Sequence, residues 1–243
     1  MQQRSLQDQV AIVTGASRGI GRSIALALAH NGAHVSLAAR GQTDLQAVRS
    51  EIESSGGQAA AFPADISREA DVVGLVRDTI ERFERLDIVV NNAGMGTFGP
   101  LAEMTTKEWD QIMAVNARGP FLLCREAIPY LKRQSRSFIL NISSVVGIRG
   151  YANQAAYSAS KHALMGMSSA LAKEVQKDGI RVHAICPGGV DTPLVAASRP
   201  DLDRSVLMHP DEIAEILLFL LTRRGNAVID EIHVRRAVST PWA

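Results

Sequence analysis

Short apolar runs alternate with amphipathic stretches along the whole chain. Residues 9–14 (QVAIVT) are apolar and rich in β-branched side chains. A glycine turn from Gly15 to Gly21 follows, then Ile24, Leu26 and Leu28 among alanines, which predicts strand, turn and helix. Asn31-Gly32 closes the helix, and residues 33–39 predict a second strand ending at Arg40. Leu45, Val48 and Ile52 recur at helical spacing over residues 44–54, and Gly56-Gly57 ends that helix. Residues 58–63 predict a strand, 72–83 a helix, and 86–90 a fully apolar strand of the kind buried on both faces. Residues 106–133 predict one long helix, interrupted at Asn116 and at Gly119-Pro120. Asparagine suits a helix interior poorly because its side chain competes for backbone hydrogen bonds, so a bend that frees a carbonyl is expected there. Residues 137–142, 180–185 and 227–234 predict further strands, and 155–175 and 211–221 further helices. Residues 194–210 hold two prolines and no period, which predicts a long loop acting as a substrate wall, at about 193–210.

Strand and helix alternate throughout, without repeats or linker composition. That order predicts an α/β fold: one Rossmann-like domain over residues 1–243, a doubly wound parallel sheet of about seven strands with helices on both faces. In such sheets ligands bind at the carboxyl ends of the strands. Gly15, Arg40, Asp65, Asn91 and Ser144 all follow or close a predicted strand, so they share one rim.

Composition narrows the functional classes. Lys plus Arg total 26 against 25 for Asp plus Glu, a balance that offers no global field for nucleic acid. Cys124 and Cys186 are far apart with no second cysteine near either, which predicts packed thiols in a reducing compartment and no zinc site. Of the six histidines only His30 and His34 stand four apart, and the helix-ending Asn31-Gly32 between them keeps them from sharing a helix face, so no metal is expected. The first residues lack a signal-peptide core, and the apolar run at 213–221 is far short of a membrane span. A cytoplasmic protein without membrane or nucleic-acid partners is therefore expected.

The chemistry concentrates in residues 143–161. Tyr157 and Lys161 are one helical turn apart, so their side chains share a face. At about 4 Å and an effective dielectric of about 20, an ammonium attracts a phenolate by about 4 kcal/mol, or about 3 units off the phenol pKa. That makes Tyr157 a candidate acid/base near neutral pH. The glycine turn, spaced G-x-x-x-G-x-G, lets the backbone and a helix N-terminus approach a pyrophosphate. At the end of the second strand a carboxylate would repel a 2′-phosphate, but the chain has Ala39-Arg40 there. With Arg18 in the glycine turn, two guanidiniums are available to such a phosphate, and NADP(H) is expected over NAD(H). The small residues of the 155–175 helix, among them Ala163, Gly166 and Ala170, suit close approach of a second subunit, a dimer or tetramer.

Together Thr14-Gly-Ala-Ser-Arg-Gly-Ile-Gly21, Asp65, Asn91-Asn-Ala-Gly94, Asn116, Ser144, Tyr157-x-x-x-Lys161 and Pro187-Gly188 resemble the short-chain dehydrogenase/reductase family, from residue 9 to about 221. The resemblance implies that Tyr157 is the general acid/base and Ser144 orients and polarises a substrate carbonyl. It implies that Lys161 tunes Tyr157 and holds the nicotinamide ribose, and that Asn116 anchors a proton-relaying water. Gly15, Ser17, Arg18, Gly19, Ile20 and Gly21 would then serve the pyrophosphate, Asp65 and Ile66 the adenine, and Asn91, Ala93 and Gly94 the adenosine side. Pro187, Gly188, Val190 and Thr192 would serve the nicotinamide. Gln154 matches a substrate-side position of 3-oxoacyl thioester reductases, and Arg149 is a candidate for a substrate anion. The implied activity is NADPH-dependent reduction of a ketone or aldehyde, 3-oxoacyl reductase-like. The tail from Glu231 lacks the glycine-rich ending of those reductases and is more similar to family members that oxidise small 3-hydroxy acids or reduce compact ketones and aldehydes. A reading from another class, a non-catalytic NADP(H)-binding sensor or structural subunit, conflicts with the presence of Asn116, Ser144, Tyr157 and Lys161 together.

Overall fold

The computed structural model of the chain describes residues 6–198 and 202–241. Its sheet contains β1 (Val10–Thr14), β2 (His34–Ala39), β3 (Gln58–Pro63), β4 (Ile88–Asn91), β5 (Ser137–Ile142), β6 (Ile180–Pro187) and β7 (Glu231–Val234). All neighbours pair in parallel in the order β3-β2-β1-β4-β5-β6-β7. The helices are α1 (Gly19–His30), α2 (Gln42–Ser54), α3 (Glu69–Phe83), α4 (Thr106–Met113), α5 (Gly119–Leu131), α6 (Ala155–Val175), α7 (Pro193–Ser198) and α8 (Pro210–Thr222).

The apolar runs of the central strands are explained by two cores, one on each face of the sheet. Ala11 and Val13 of β1, Ile88 and Val90 of β4 and Phe138, Leu140 and Ile142 of β5 meet Ile24 and Leu28 of α1, Leu45, Val48 and Ile52 of α2 and Ile213 and Leu217 of α8. Val10, Ile12, Val89 and Ile139 point the other way, against Val72 and Val76 of α3, Leu122, Leu123 and Leu131 of α5 and Leu171 and Val175 of α6. A strand covered on both faces has no solvent side to carry polar residues. The chain reverses its winding between β1 and β4, which opens the crevice in which such folds take ligands.

Three sequence expectations change. The helix expected over 106–133 is split into α4 and α5 by a π turn at Ala114–Arg118, centred on the expected interruption at Asn116. The strand expected over 227–234 is shortened to β7; side chains hold the chain before it, Arg136 and Arg181 donating to the carbonyls of Arg223 and Gly225 and His183 Nδ1 meeting the Ile229 carbonyl. The loop expected over 194–210 contains α7 and a 3-10 turn at Arg204–Val206. Its base is pinned by a parallel bridge between Val190 and Met208.

Candidate active site

The glycine turn after β1 is locked to the end of β4. Gly15 and Gly19 have φ of +66° and +54°, a region that costs a side chain steric strain. A Cβ on Gly21 would stand 2.2 Å from the Gly15 carbonyl oxygen. The Thr14 hydroxyl donates to the Val90 carbonyl (3.1 Å) and accepts from the Asn92 and Ala93 amides (3.0 and 3.1 Å). Asn92 Nδ2 donates to the Thr14 carbonyl at 2.9 Å. The α1 N-terminus has neither a side-chain cap nor an acidic residue in its first turn, so its amides suit a phosphate anion. Ser17 and Ile20 are half-buried in this turn and Arg18 is exposed.

At the ends of β2 and β3, Arg40 is exposed and Asp65 half-buried. Burial alone would raise the Asp65 carboxyl. Hydrogen bonds from Ser67, with Arg40 and Arg68 nearby, outweigh it and hold the carboxyl below its ordinary value. Asp65 Oδ1 accepts from the Ser67 hydroxyl at 2.7 Å and from its amide at 2.9 Å. Ile66 is buried; a Cβ on Gly119 at the start of α5 would approach its Cδ1 to 2.8 Å.

One of the expected cofactor contacts needs revision. The Asn91 side chain turns into the core, where Nδ2 donates to Asn141 Oδ1 (2.8 Å) and contacts Cys124 Sγ (3.4 Å). The Asn91 amide group therefore does not face the rim, which leaves Asn91 its backbone alone for any ligand. Asn92 is the side chain that braces the turn, and no sequence period distinguishes the two.

Ser144, Tyr157, Lys161 and Asn116 come from three separate segments. Ser144 caps the 3-10 turn Val145–Gly147 after β5, and its hydroxyl lies 3.4 Å from the Pro187 carbonyl at the end of β6. Tyr157 and Lys161 stand one turn apart on α6. Lys161 is buried, donates from Nζ to the Ile142 carbonyl (2.9 Å) and lies 5.8 Å from the Tyr157 ring centre. Gly94 opens the rim here: a Cβ on it would stand 3.5 Å from Asn116 Oδ1 and 3.6 Å from Lys161 Nζ. Asn116 is buried within the π turn. Its Oδ1 accepts from the Met95 amide, and its Nδ2 donates to the Met95 carbonyl and the Ser160 hydroxyl.

The electrostatics correct the simple pairing of ammonium and phenol. Although the Tyr157 ring keeps partial exposure, burial pushes its phenol up to about 12, with hydrogen bonding to Ser144 acting in the opposite direction. Burial likewise pushes the Lys161 ammonium down to about 8. Desolvation exceeds the attraction because the nearest Lys161 partner is a neutral carbonyl. At neutral pH Tyr157 thus keeps its proton.

The segment after β6 closes over the glycine turn. The Thr192 methyl would meet a Cβ on Gly19 at 3.1 Å, and its hydroxyl accepts from the Val195 amide at 3.3 Å. Val190 is buried, while Gly188 donates to the Val234 carbonyl at 2.7 Å. Asp191 is gripped by Arg204 through Nε and Nη2 at 2.9 and 2.6 Å. Gln154 is half-buried at the start of α6, and Arg149 is exposed on the loop after the Ser144 turn. Sequence reasoning missed Phe98, whose ring meets Tyr157 edge-on at 5.6 Å and 77°. It follows the glycines after Asn92 in a segment with no period to read.

A family model described as short chain dehydrogenase matches residues 9–203. The chain belongs to this family. As a short-chain dehydrogenase it is an NAD(P)-dependent oxidoreductase. It is 37% identical over 216 residues to the oxidoreductase YxjF of Bacillus subtilis (strain 168), covering 89% of this chain and 84% of that one. Its fold matches a metagenomic short-chain oxidoreductase in complex with NADP, with a TM-score of 0.85, 37% identity and 97% and 100% of the two chains covered. It also matches the 3-ketoacyl-(acyl-carrier-protein) reductase of Brucella melitensis complexed with NADH. There the TM-score is 0.87 and the identity 33%, covering 95% and 97% of the two chains. Among the described residues no helix is long and apolar enough to cross a membrane.

Proposed function

We propose that this short-chain dehydrogenase reduces a ketone or aldehyde to an alcohol with NADPH, in the manner of 3-oxoacyl reductases. The observation that carries the reading is the pairing of Tyr157 with Ser144, and of Lys161 with Asn116 beside Gly94, on the rim that also holds the uncapped α1 N-terminus. Bound NADPH would supply the hydride. Charge then builds on the carbonyl oxygen, and Ser144 and Tyr157 are the donors assigned to it, with Tyr157 giving its proton. A phenol that holds its proton at neutral pH suits the reductive direction. Lys161 is assigned to the ribose, and Gly15, Ser17, Gly19, Ile20 and Gly21 to the pyrophosphate. Asp65 and Ile66 are assigned to the adenine, Ala93 and Gly94 with the Asn91 backbone to the adenosine, and Pro187, Gly188, Val190 and Thr192 to the nicotinamide.

The preference for NADP(H) is supported by exposed Arg18 and Arg40 and by the absence of a carboxylate at the end of β2. Substrate is assigned to Ser144, Tyr157, Gln154 and Arg149, with residues 193–210 as its wall. The reading includes a homo-oligomer, dimer or tetramer, supported by exposed Ala163, Gly166 and Ala170 on α6. A cytoplasmic location is supported by two free, buried cysteines.

A second reading, a dehydrogenase of small 3-hydroxy acids, is favoured by the tail. It runs beside β6 and brings Arg236 against Gly189, whose notional Cβ would lie 3.3 Å from Arg236 Cδ. NADPH consumption with a panel of neutral ketones, 3-oxo acids and 3-oxoacyl thioesters separates the readings. Turnover of neutral ketones and thioesters supports the first, and selective turnover of free acids the second. No turnover across the panel, with NADPH still bound, would favour a sensor.

A further inference from the structure

The parallel register of β6 and β7 places Cys186 opposite His233 and Ala184 opposite Glu231. Side chains two apart on a strand share a face, and facing residues on neighbouring strands share it too. Cys186, Glu231 and His233 therefore converge on the side of the sheet covered by α6. Donor atoms of all three lie within 4.8 Å of one another. Glu231 and His233 are in direct contact through the carboxylate and Nε2. Met165 on α6 brings a thioether sulfur to 3.6 Å from the Cys186 sulfur.

The cluster has a buried and an open side. Cys186 is fully buried, whereas the Glu231 and His233 side chains are 38% and 53% exposed on the edge strand. A divalent cation bound among these groups takes the thiolate and the carboxylate as ligands. Their two negative charges match the two positive charges of the ion, so Lys161, whose charge acts on Cys186, faces a neutral site.

We propose that Cys186, Glu231 and His233 form a three-ligand site for a borderline-soft divalent cation, Zn²⁺, with its fourth position open to solvent beside β7. The donor set of thiolate, imidazole and carboxylate is the one zinc takes, and three protein ligands with an open position are a common arrangement for it. Binding forms a Zn–S bond and releases the Cys186 proton to solvent, with no change of oxidation state. The sequence expectation of no metal rested on linear spacing. Only strand pairing joins Cys186 to His233.

The test is a titration of the purified full-length protein with Co²⁺, which gives a thiolate-to-cobalt charge-transfer band only if sulfur is a ligand. The expected result is a saturable 1:1 band, displaced by Zn²⁺, retained in Cys124→Ser and absent in Cys186→Ser. His233→Ala and Glu231→Gln alter exposed side chains and should each weaken binding by at least about 10-fold. They also carry the test if Cys186→Ser does not fold. Lack of a saturable band in the wild type, or unchanged affinity in both His233→Ala and Glu231→Gln, overturns the site.

Discussion

Asn116 and Met95 exchange hydrogen bonds in both directions: the Met95 amide donates to Asn116 Oδ1 at 2.9 Å, and Asn116 Nδ2 donates to the Met95 carbonyl at 2.8 Å. A third bond joins Asn116 Nδ2 to the Ser160 hydroxyl at 3.0 Å, which in turn donates to the Tyr157 carbonyl at 2.8 Å. The π turn thus fixes both the loop after β4 and the start of the helix that carries Tyr157 and Lys161. π turns of this kind are frequent at functional sites. Asn116→Ala should lower stability by about 2–4 kcal/mol, since it strands buried polar partners. In activity it should lower kcat more than it raises KM. Urea denaturation and steady-state kinetics read the two effects, and wild-type values in both would remove Asn116 from the positioning role.

Tyr157→Phe removes one hydroxyl and keeps the edge-on contact with Phe98. Turnover should fall by about 10²–10⁴-fold, the usual contribution of a positioned proton donor. Cofactor affinity, followed by fluorescence of the bound dinucleotide, should stay within a few-fold. Near-normal turnover in this variant would refute the assignment of Tyr157 as the acid.

Lys161 links the site to pH. Its folded-state pKa is lowered from the ordinary 10.5 to about 8, so between these values the unfolded chain binds the extra proton and stability rises with pH. Below about pH 8 the full cost of burying the ammonium is present. Relative to Lys161→Met, the wild type should therefore gain about 3 kcal/mol between pH 8 and 10.5. Tyr157, raised to about 12, acts in the opposite direction above pH 10 but affects both proteins alike. Denaturation midpoints across this range check the sign, and a difference independent of pH would show that Lys161 is not desolvated in solution.

Arg40→Asp places a carboxylate where a 2′-phosphate is expected and removes a positive charge near Asp65. A charge-assisted contact contributes about 1.5–3 kcal/mol, so KM for NADPH should rise by about 10–100-fold. KM for NADH should be unchanged or lower. Equal effects on both cofactors would mean that Arg40 does not contact the 2′-phosphate.

Much of the molecule was legible in the chain itself. Glycines at positions 15, 19 and 21, apolar strands and amphipathic helices declared a doubly wound sheet because backbone freedom and burial are local or periodic properties. The same reading placed Ser144 on the rim of strand ends and Tyr157 and Lys161 on one helix face, since strand ends and helical turns follow from spacing. Pairings between distant segments were not legible. That Asn91 faces the core while Asn92 braces the glycine turn, and that Phe98 lies against Tyr157, depends on how the segment after β4 is turned. That burial overrides the charge of Lys161 in setting the Tyr157 phenol depends on the layers above and below it. Cys186, Glu231 and His233 became a cluster only through the register of β6 and β7. Sequence fixes which residues alternate on a strand, but desolvation and convergence are sums over neighbours that only the tertiary structure supplies.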